Sequence, residues 1–268
     1  MTPPRGPQHT IYMNDTENIH DFDFSLICEY FASLDRQGPG NTAATARALS
    51  FLPALTADQR IADVGCGTGA STMVLAQHTP AQIVAVDLFG DFLDKLRNRA
   101  DTQGYRQRIT TIQADMGDLP FEPESLDVIW AEGSIYNIGF KHGIELWRPL
   151  LRSGGYLVVS ESTWRTPERP AEIEQFWTEA YPEIGLVSRK VSELEQAGYA
   201  VEATFALPSQ GWEQFYAPAA AAQEQFLARH GGDPTAEGLV ANQRHEAALY
   251  RRYHNYYDYT FFITRKID

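Results

Sequence analysis

Four acidic residues, Asp63, Asp87, Asp115 and Glu132, sit in or close short apolar runs within the first half of this 268-residue chain. A carboxylate at the end of a buried strand can accept both hydroxyls of a ribose or receive an amino group, so a row of such ends points to a nucleotide-like ligand. The first of them lies in Ile61-Ala62-Asp63-Val64-Gly65-Cys66-Gly67-Thr68-Gly69. Its three alternate glycines leave no Cβ where the backbone passes close to a ligand. Residues 71–77 then read as the first turns of a helix. A strand, a glycine turn and a helix in that order expose orphan N–H groups at the carboxyl end of a sheet.

Glycine spacing separates the ligands. The turn reads G-x-G-x-G rather than the G-x-G-x-x-G of the dinucleotide fingerprint, and an acid stands two residues before its first glycine. Asp87 closes Gln82-Ile83-Val84-Ala85-Val86, 22 residues after Gly65, where it can hold a ribose. A third strand, 109–114, ends at Asp115, and a fourth, 126–131, ends at Glu132. Together these segments resemble the class I S-adenosylmethionine-dependent methyltransferases, most closely the small-molecule branch that includes the ubiquinone and menaquinone biosynthesis enzymes. The resemblance covers roughly residues 45–165. It extends to Leu119-Pro120-Phe121, to Ser125-Leu126-Asp127-Val128-Ile129, and to the turn Arg152-Ser153-Gly154-Gly155 into a fifth strand.

The resemblance implies an α/β fold, a Rossmann-like, seven-stranded, mostly parallel sheet with helices on both faces and helical lid additions. It implies S-adenosyl-L-methionine as cofactor and S-adenosylhomocysteine as product. Asp63, Gly65, Cys66, Gly67, Thr68 and Gly69 would form the methionine-binding loop, Asp87 would hold the ribose, Leu88 would pack on the adenine, and Asp115 with Met116 would bind it. The alternative reading of Asp63 is that it caps the loop without touching ligand. Cys66, a single thiol with no His or Cys beside it, reads as a small packing residue without chemistry of its own.

Methyl transfer from a sulfonium needs little acid or base catalysis, since most of the effect comes from orientation in a water-poor pocket. A base matters when the nucleophile must lose a proton. Candidate catalytic residues are Glu132 and Tyr136 beyond the fourth strand and Glu161 beyond the fifth. Glu132 and Glu161 can pair with an amine, orient a hydroxyl or act as a base, while Tyr136 and Trp164 can clamp a ring or a cation. In the plainer reading Glu132 binds the cofactor's amino group, Glu161 caps a loop and the aromatics are core. His20 and His142 are weaker base candidates.

The elements that must position these groups divide the chain. Residues 1–18 read as a disordered leader and 19–268 as a single methyltransferase domain. Within it come a helical cap (19–55), a cofactor-binding core (56–163), helical excursions or lids (164–190 and 208–252) and a last strand (253–268). The cap carries helices at 25–34 and 42–52 around Arg36-Gln37-Gly38-Pro39-Gly40. Arg36, at a permissive turn with Gly38, either pairs with the methionine carboxylate or is a surface arginine. Further elements are helices at 171–181 and 192–197, a strand at 201–207, and an aromatic strand at 259–264 that the family inserts antiparallel. The aromatics Trp212, Phe215, Tyr216, Tyr250, Tyr253, Tyr256 and Tyr257 read as packing of the excursion, with a pocket wall and a homodimer contact as alternatives.

Composition excludes more than it selects. The formal net charge of −13 speaks against nucleic acid as substrate, because phosphate binding needs a basic face. Two cysteines make no disulfide framework, no metal-ligand spacing occurs, and no apolar run is long enough to span a membrane. The expectation is a cytoplasmic enzyme acting at an O, N or C atom of a small molecule, with no membrane and no nucleic acid partner. Three rivals remain: a non-catalytic S-adenosylmethionine-binding protein, an NAD-dependent oxidoreductase, and a macromolecular methyltransferase. The last is disfavoured because Ala131-Glu132-Gly133-Ser134 stands where an Asn-Pro-Pro-Tyr or Asp-Pro-Pro-Tyr type segment would lie. That segment also departs from many small-molecule relatives and leaves the acceptor atom open.

Overall fold

The computed structural model describes residues 25–268; the leader, the expected start of structure near Ile19 and His20 lie outside the described residues. The strands are β1 (Arg60–Val64), β2 (Gln82–Asp87), β3 (Ile109–Gln113), β4 (Leu126–Glu132), β5 (Leu151–Trp164), β6 (Gly185–Leu186), β7 (Tyr199–Ala206) and β8 (Tyr257–Lys266). The helices are α1 (Ser25–Ala32), α2 (Thr42–Leu49), α3 (Ala70–His78), α4 (Gly90–Thr102), α5 (Phe140–Trp147), α6 (Ala171–Ala180), α7 (Val187–Gln196), α8 (Ser209–His230) and α9 (Pro234–Tyr253).

Seven strands lie in the order β3-β2-β1-β4-β5-β8-β7, and the two-residue β6 pairs with β5 off this path. Strands β1 to β5 run parallel, and β8 inserts antiparallel between β5 and β7. The expected seven-stranded sheet is therefore present, with β6 as a short eighth strand. Its central strands are apolar almost throughout because helices cover both faces; β1, β2 and β4 bury nearly every residue.

Alternate residues of the central strands feed two cores. Val128, Trp130, Val158 and Phe261 face α2, α3 and the α9 end, whereas Ile129, Ala131, Val159 and Phe262 face α5 and α7. A third cluster of Tyr30, Leu34, Phe215, Phe226 and Leu239 ties α1 to the α8–α9 hairpin. Caps fix two of these helices: Asn41 accepts the Ala44 N–H at 2.8 Å to start α2, and Asp233 accepts the Thr235 and Ala236 N–H groups to start α9. The strand order reverses at β1, between β2 and β4. In an open α/β sheet the crevice beyond the carboxyl ends at such a point is where ligands bind.

Candidate functional site

At that reversal β1 delivers Asp63, which is 1% exposed. Its Oδ2 accepts hydroxyl hydrogens from Thr72 at 2.6 Å and Ser71 at 3.0 Å, both on the first turn of α3. Its Oδ1 is buried and has no hydrogen-bond partner among the described residues. Burial pushes the carboxyl up to about 7 against the pull of those hydroxyls.

The loop that follows turns on left-handed glycines. Gly65 has φ +69°, and a Cβ there would stand 2.5 Å from Cβ of Ser134, so the segment after β4 presses directly on the loop. Gly67, at φ +55°, faces the Gln37 amide in the same way.

The loop's N–H groups are already engaged, which corrects the expectation of exposed orphan donors. Gly65 and Cys66 donate to the Val86 carbonyl, Gly67 donates to Asp87 Oδ2 at 2.8 Å, Thr68 donates to Gln37 Oε1 at 3.0 Å and Gly69 donates to the Cys66 carbonyl. The physical reason is register: β2 ends beside the loop, and its Val86 carbonyl and Asp87 carboxylate meet the first three donors. The Cys66 thiol is buried and burial pushes its proton affinity up, as suits a packing residue.

Asp87, also buried, accepts the Gly67 N–H through Oδ2 and the Phe89 N–H through Oδ1 at 3.0 Å. Burial raises its pKa and these backbone donors oppose the rise. Each oxygen keeps a second lone pair. Leu88 is half-buried beside it, and its carbonyl accepts the Gln113 amide. Asp115, half-buried at the β3 end, accepts the Gly117 N–H at 2.7 Å. The Met116 methyl lies 3.1 Å from the Cβ position of Gly65, and its carbonyl accepts the Trp147 indole N–H. The structure thus gathers Asp63, the glycine loop, Asp87 and Met116 at the ends of β1, β2 and β3.

Glu132 is differently occupied. Its Oε1 accepts the Trp130 indole N–H and its Oε2 pairs with the Arg36 guanidinium, each at 2.9 Å. Arg36 is therefore engaged by Glu132 rather than left open to a ligand carboxylate. Gly38 has open space where a Cβ would stand, and it is Gln37 that reaches the loop, bonding both the N–H and the hydroxyl of Thr68.

Beyond β4 and β5 a second group assembles. Glu161 is 1% exposed, and its carboxylate oxygens meet no donor in well-aligned hydrogen-bond geometry, although the Tyr181 hydroxyl and the Ser162 N–H lie close enough to favour its charged form. Burial lifts it to about 7, and the charge of Lys190 opposes the rise. Lys190, fully buried on α7, lies 4.2 Å from the centre of the Phe140 ring and donates to the Tyr181 hydroxyl at 3.3 Å. Tyr181 meets Tyr136 edge-on at 6.1 Å, and burial together with the charges of Glu246 and Glu161 pushes the Tyr136 phenol up to about 12.

Trp164 does not join this group, since Arg169 covers its ring at 4.1 Å, and His142 is exposed. Sequence reading missed Gln37, Tyr181, Lys190 and Glu246. Only Lys190 carried a signal, as a cation inside an apolar helical stripe. No cluster that could hold a metal ion occurs among the described residues.

Comparison with known proteins agrees with this geometry. Residues 61–155 match the family model described as a methyltransferase domain. A demethylmenaquinone methyltransferase of Tropheryma whipplei is 36% identical over 118 residues, 43% of this chain and 46% of that protein. A 27-O-demethylrifamycin SV methyltransferase of Amycolatopsis mediterranei is 28% identical over 121 residues, 45% of this chain and 44% of that protein. The chain thus spans less than half the length of these curated relatives. Among solved structures, a methyltransferase of Thiobacillus denitrificans in complex with S-adenosyl-L-homocysteine superposes with a TM-score of 0.78 at 19% identity, over 90% of this chain and 98% of that one. At that identity the likeness is one of fold, and the Rossmann-like architecture expected from the sequence stands.

Proposed function

We infer that this chain, whose residues 61–155 belong to the methyltransferase-domain family, is an S-adenosylmethionine-dependent methyltransferase that acts on a small molecule and releases S-adenosylhomocysteine. The observation that carries the reading is Asp63, a buried carboxylate with one oxygen satisfied by two hydroxyls and the other bare, beside a glycine loop at the reversal of strand order. A buried unpaired acceptor is costly, and a cationic amino group such as that of a methionine moiety would satisfy it. The remaining lone pairs of Asp87 suit a pair of ribose hydroxyls. The residues present therefore fit the cofactor.

In this reading Asp63, Gly65, Cys66, Gly67, Thr68 and Gly69 hold the methionine end, Asp87 the ribose, and Leu88, Asp115 and Met116 the adenine. The Arg36–Glu132 pair closes the cap over the same crevice. When bound, S-adenosylmethionine supplies a methyl group already activated on a sulfonium. The chain's own part is to orient the acceptor, exclude water and take up a proton where the acceptor carries one. Glu161 is placed for that last role, with Tyr136 beside it and α6, α8 and α9 as walls. Among the described residues no helix is long and apolar enough to cross a membrane, and both cysteines are buried thiols; the reading places the enzyme in the cytoplasm.

Asp87→Ala tests the assignment. Losing a charge-assisted acceptor is expected to weaken S-adenosylhomocysteine binding by about 1.5–3 kcal/mol, or about 10- to 150-fold, in a calorimetric titration. Affinity equal to that of the unaltered protein would remove Asp87 from the ribose site.

A further inference from the structure

On the far side of Tyr136 stands a carboxylate that the cofactor region does not use. Glu246, on the inner face of α9, accepts the Tyr216 hydroxyl at 3.1 Å and makes no ion pair among the described residues. It lies close enough to Tyr136, Tyr257 and Tyr259 for its charge to raise the proton affinity of each phenol. Tyr259 pairs in register with Ser162 on β5, and its ring lies 3.7 Å from the Cβ position of Gly133 in the turn after β4. Strand β5 also carries Glu161, buried and without a well-aligned hydrogen bond to either oxygen. Behind the rings, the Tyr257 hydroxyl and the Trp177 indole N–H are buried beside one another, and their rings meet at 5.1 Å.

The charges here do not balance. Glu161 and Glu183 face a single buried cation, Lys190, which is shared with Glu193 at 3.6 Å, and Glu246 makes no ion pair among the described residues. A negatively charged ligand would be repelled, and an apolar one would leave the charges of these carboxylates without a counter-charge, a costly arrangement where they are buried. A cation answers both features, because it neutralises the carboxylates and lies favourably against aromatic faces. Neither Glu132 nor Trp164 can serve, the first being paired with Arg36 and the second covered by Arg169.

We propose that the methyl acceptor is a small amine, protonated in solution, whose ammonium group is held by Glu246 among the rings of Tyr136, Tyr216 and Tyr259 and gives its proton to Glu161. This rests on the methyltransferase reading above and specifies its substrate class. In the proton step an N–H bond of the ammonium breaks, its electron pair stays on nitrogen as the nucleophilic lone pair, and an O–H bond forms on the Glu161 carboxylate. The burial that raises Glu161 makes it a better proton acceptor than an ordinary carboxylate.

The test is calorimetric, with the full chain saturated with S-adenosylhomocysteine. Dimethylamine, benzylamine and phenethylamine are titrated beside their neutral counterparts isopropanol, benzyl alcohol and 2-phenylethanol. At least one amine is expected to bind at least tenfold more tightly than its alcohol. Glu246→Gln, which keeps the shape and the Tyr216 bond, is expected to weaken that amine at least tenfold while leaving S-adenosylhomocysteine affinity unchanged, which also reports an intact fold. The proposal is overturned if no amine is preferred over its alcohol, or if the preferred amine binds the variant as well as the unaltered protein. Failure of S-adenosylhomocysteine to bind the unaltered protein would instead overturn the methyltransferase reading, and the proposal with it.

Discussion

Glu161→Gln is expected to lower turnover by about 10²- to 10⁴-fold, the range typical of losing a general base, while leaving S-adenosylhomocysteine affinity unchanged. The expectation follows from a carboxylate that is 1% exposed, holds no well-aligned hydrogen bond and is lifted to about 7 by burial. As a base it works only when ionised, so turnover of the unaltered protein should rise with pH and level off above about 7, and the variant should lose that step. Stability gives a second readout with a defined sign. The folded pKa lies above the ordinary value of 4.5, so the folded state holds the proton more tightly and stability falls as pH rises from 4.5 to about 7. The difference corresponds to about 3 kcal/mol. Glu161→Gln should therefore melt higher than the unaltered protein at pH 8 and alike at pH 4. A variant with full turnover would leave Glu161 structural.

Asp63→Asn carries the other large effect. The amide oxygen can keep the Ser71 and Thr72 hydroxyl bonds, so the loop stays in place, but the negative charge at the bare oxygen is lost. S-adenosylmethionine affinity is expected to fall by about 1.5–3 kcal/mol, about 10- to 150-fold. Since burial raises Asp63 to about 7, a cationic ligand group must find it ionised, and affinity in the unaltered protein should climb as pH rises towards about 7. Titrations at pH 6 and pH 8 measure both effects. Equal affinity in variant and unaltered protein would remove Asp63 from the contacts.

Why some of this was legible in the sequence is a matter of which interactions are local. β1, β2 and β4 read directly, because parallel strands buried on both faces are apolar runs and the acids and glycines that end them are punctuation, while the half-exposed edge strand β3 reads from its isoleucines and threonines and the acid that follows. The antiparallel insertion of β8 followed from family resemblance. Helix α7 begins at Val187, five residues ahead of the expected 192, because Lys190 sits on its buried face and breaks the apolar stripe. Helices α4 and α5 and the two-residue β6 went unread, although Phe92, Leu93, Leu96 and Ala100 of α4 carry helical spacing.

The site divides in the same way. Asp63 and Asp87 stand at strand ends a pattern can find, and the glycines are marked by their type. Arg36 meeting Glu132, 96 residues away, and Gln37 meeting Thr68 depend on how the α1–α2 linker crosses the sheet, which no local pattern encodes. Glu246 lies in a helix whose neighbours Arg244 and His245 are exposed; only the docking of α8 and β8 turns it inward. The aromatics form one packed group. Trp212 and Tyr250 stack at 4.3 Å, and Trp212 bonds Asp258 at 2.8 Å, so these pack the excursion onto the sheet. Tyr216 and Tyr259 lie against the same indole at 6.1 and 5.3 Å, and Tyr216 also donates to the Glu246 carboxylate.

The central claim is tested most directly by calorimetric titration of the purified protein, stripped of carried-over ligand, with S-adenosylmethionine, S-adenosylhomocysteine and NAD. Saturable binding of the first two with none of NAD is the expected result. Binding of NAD alone would contradict the account.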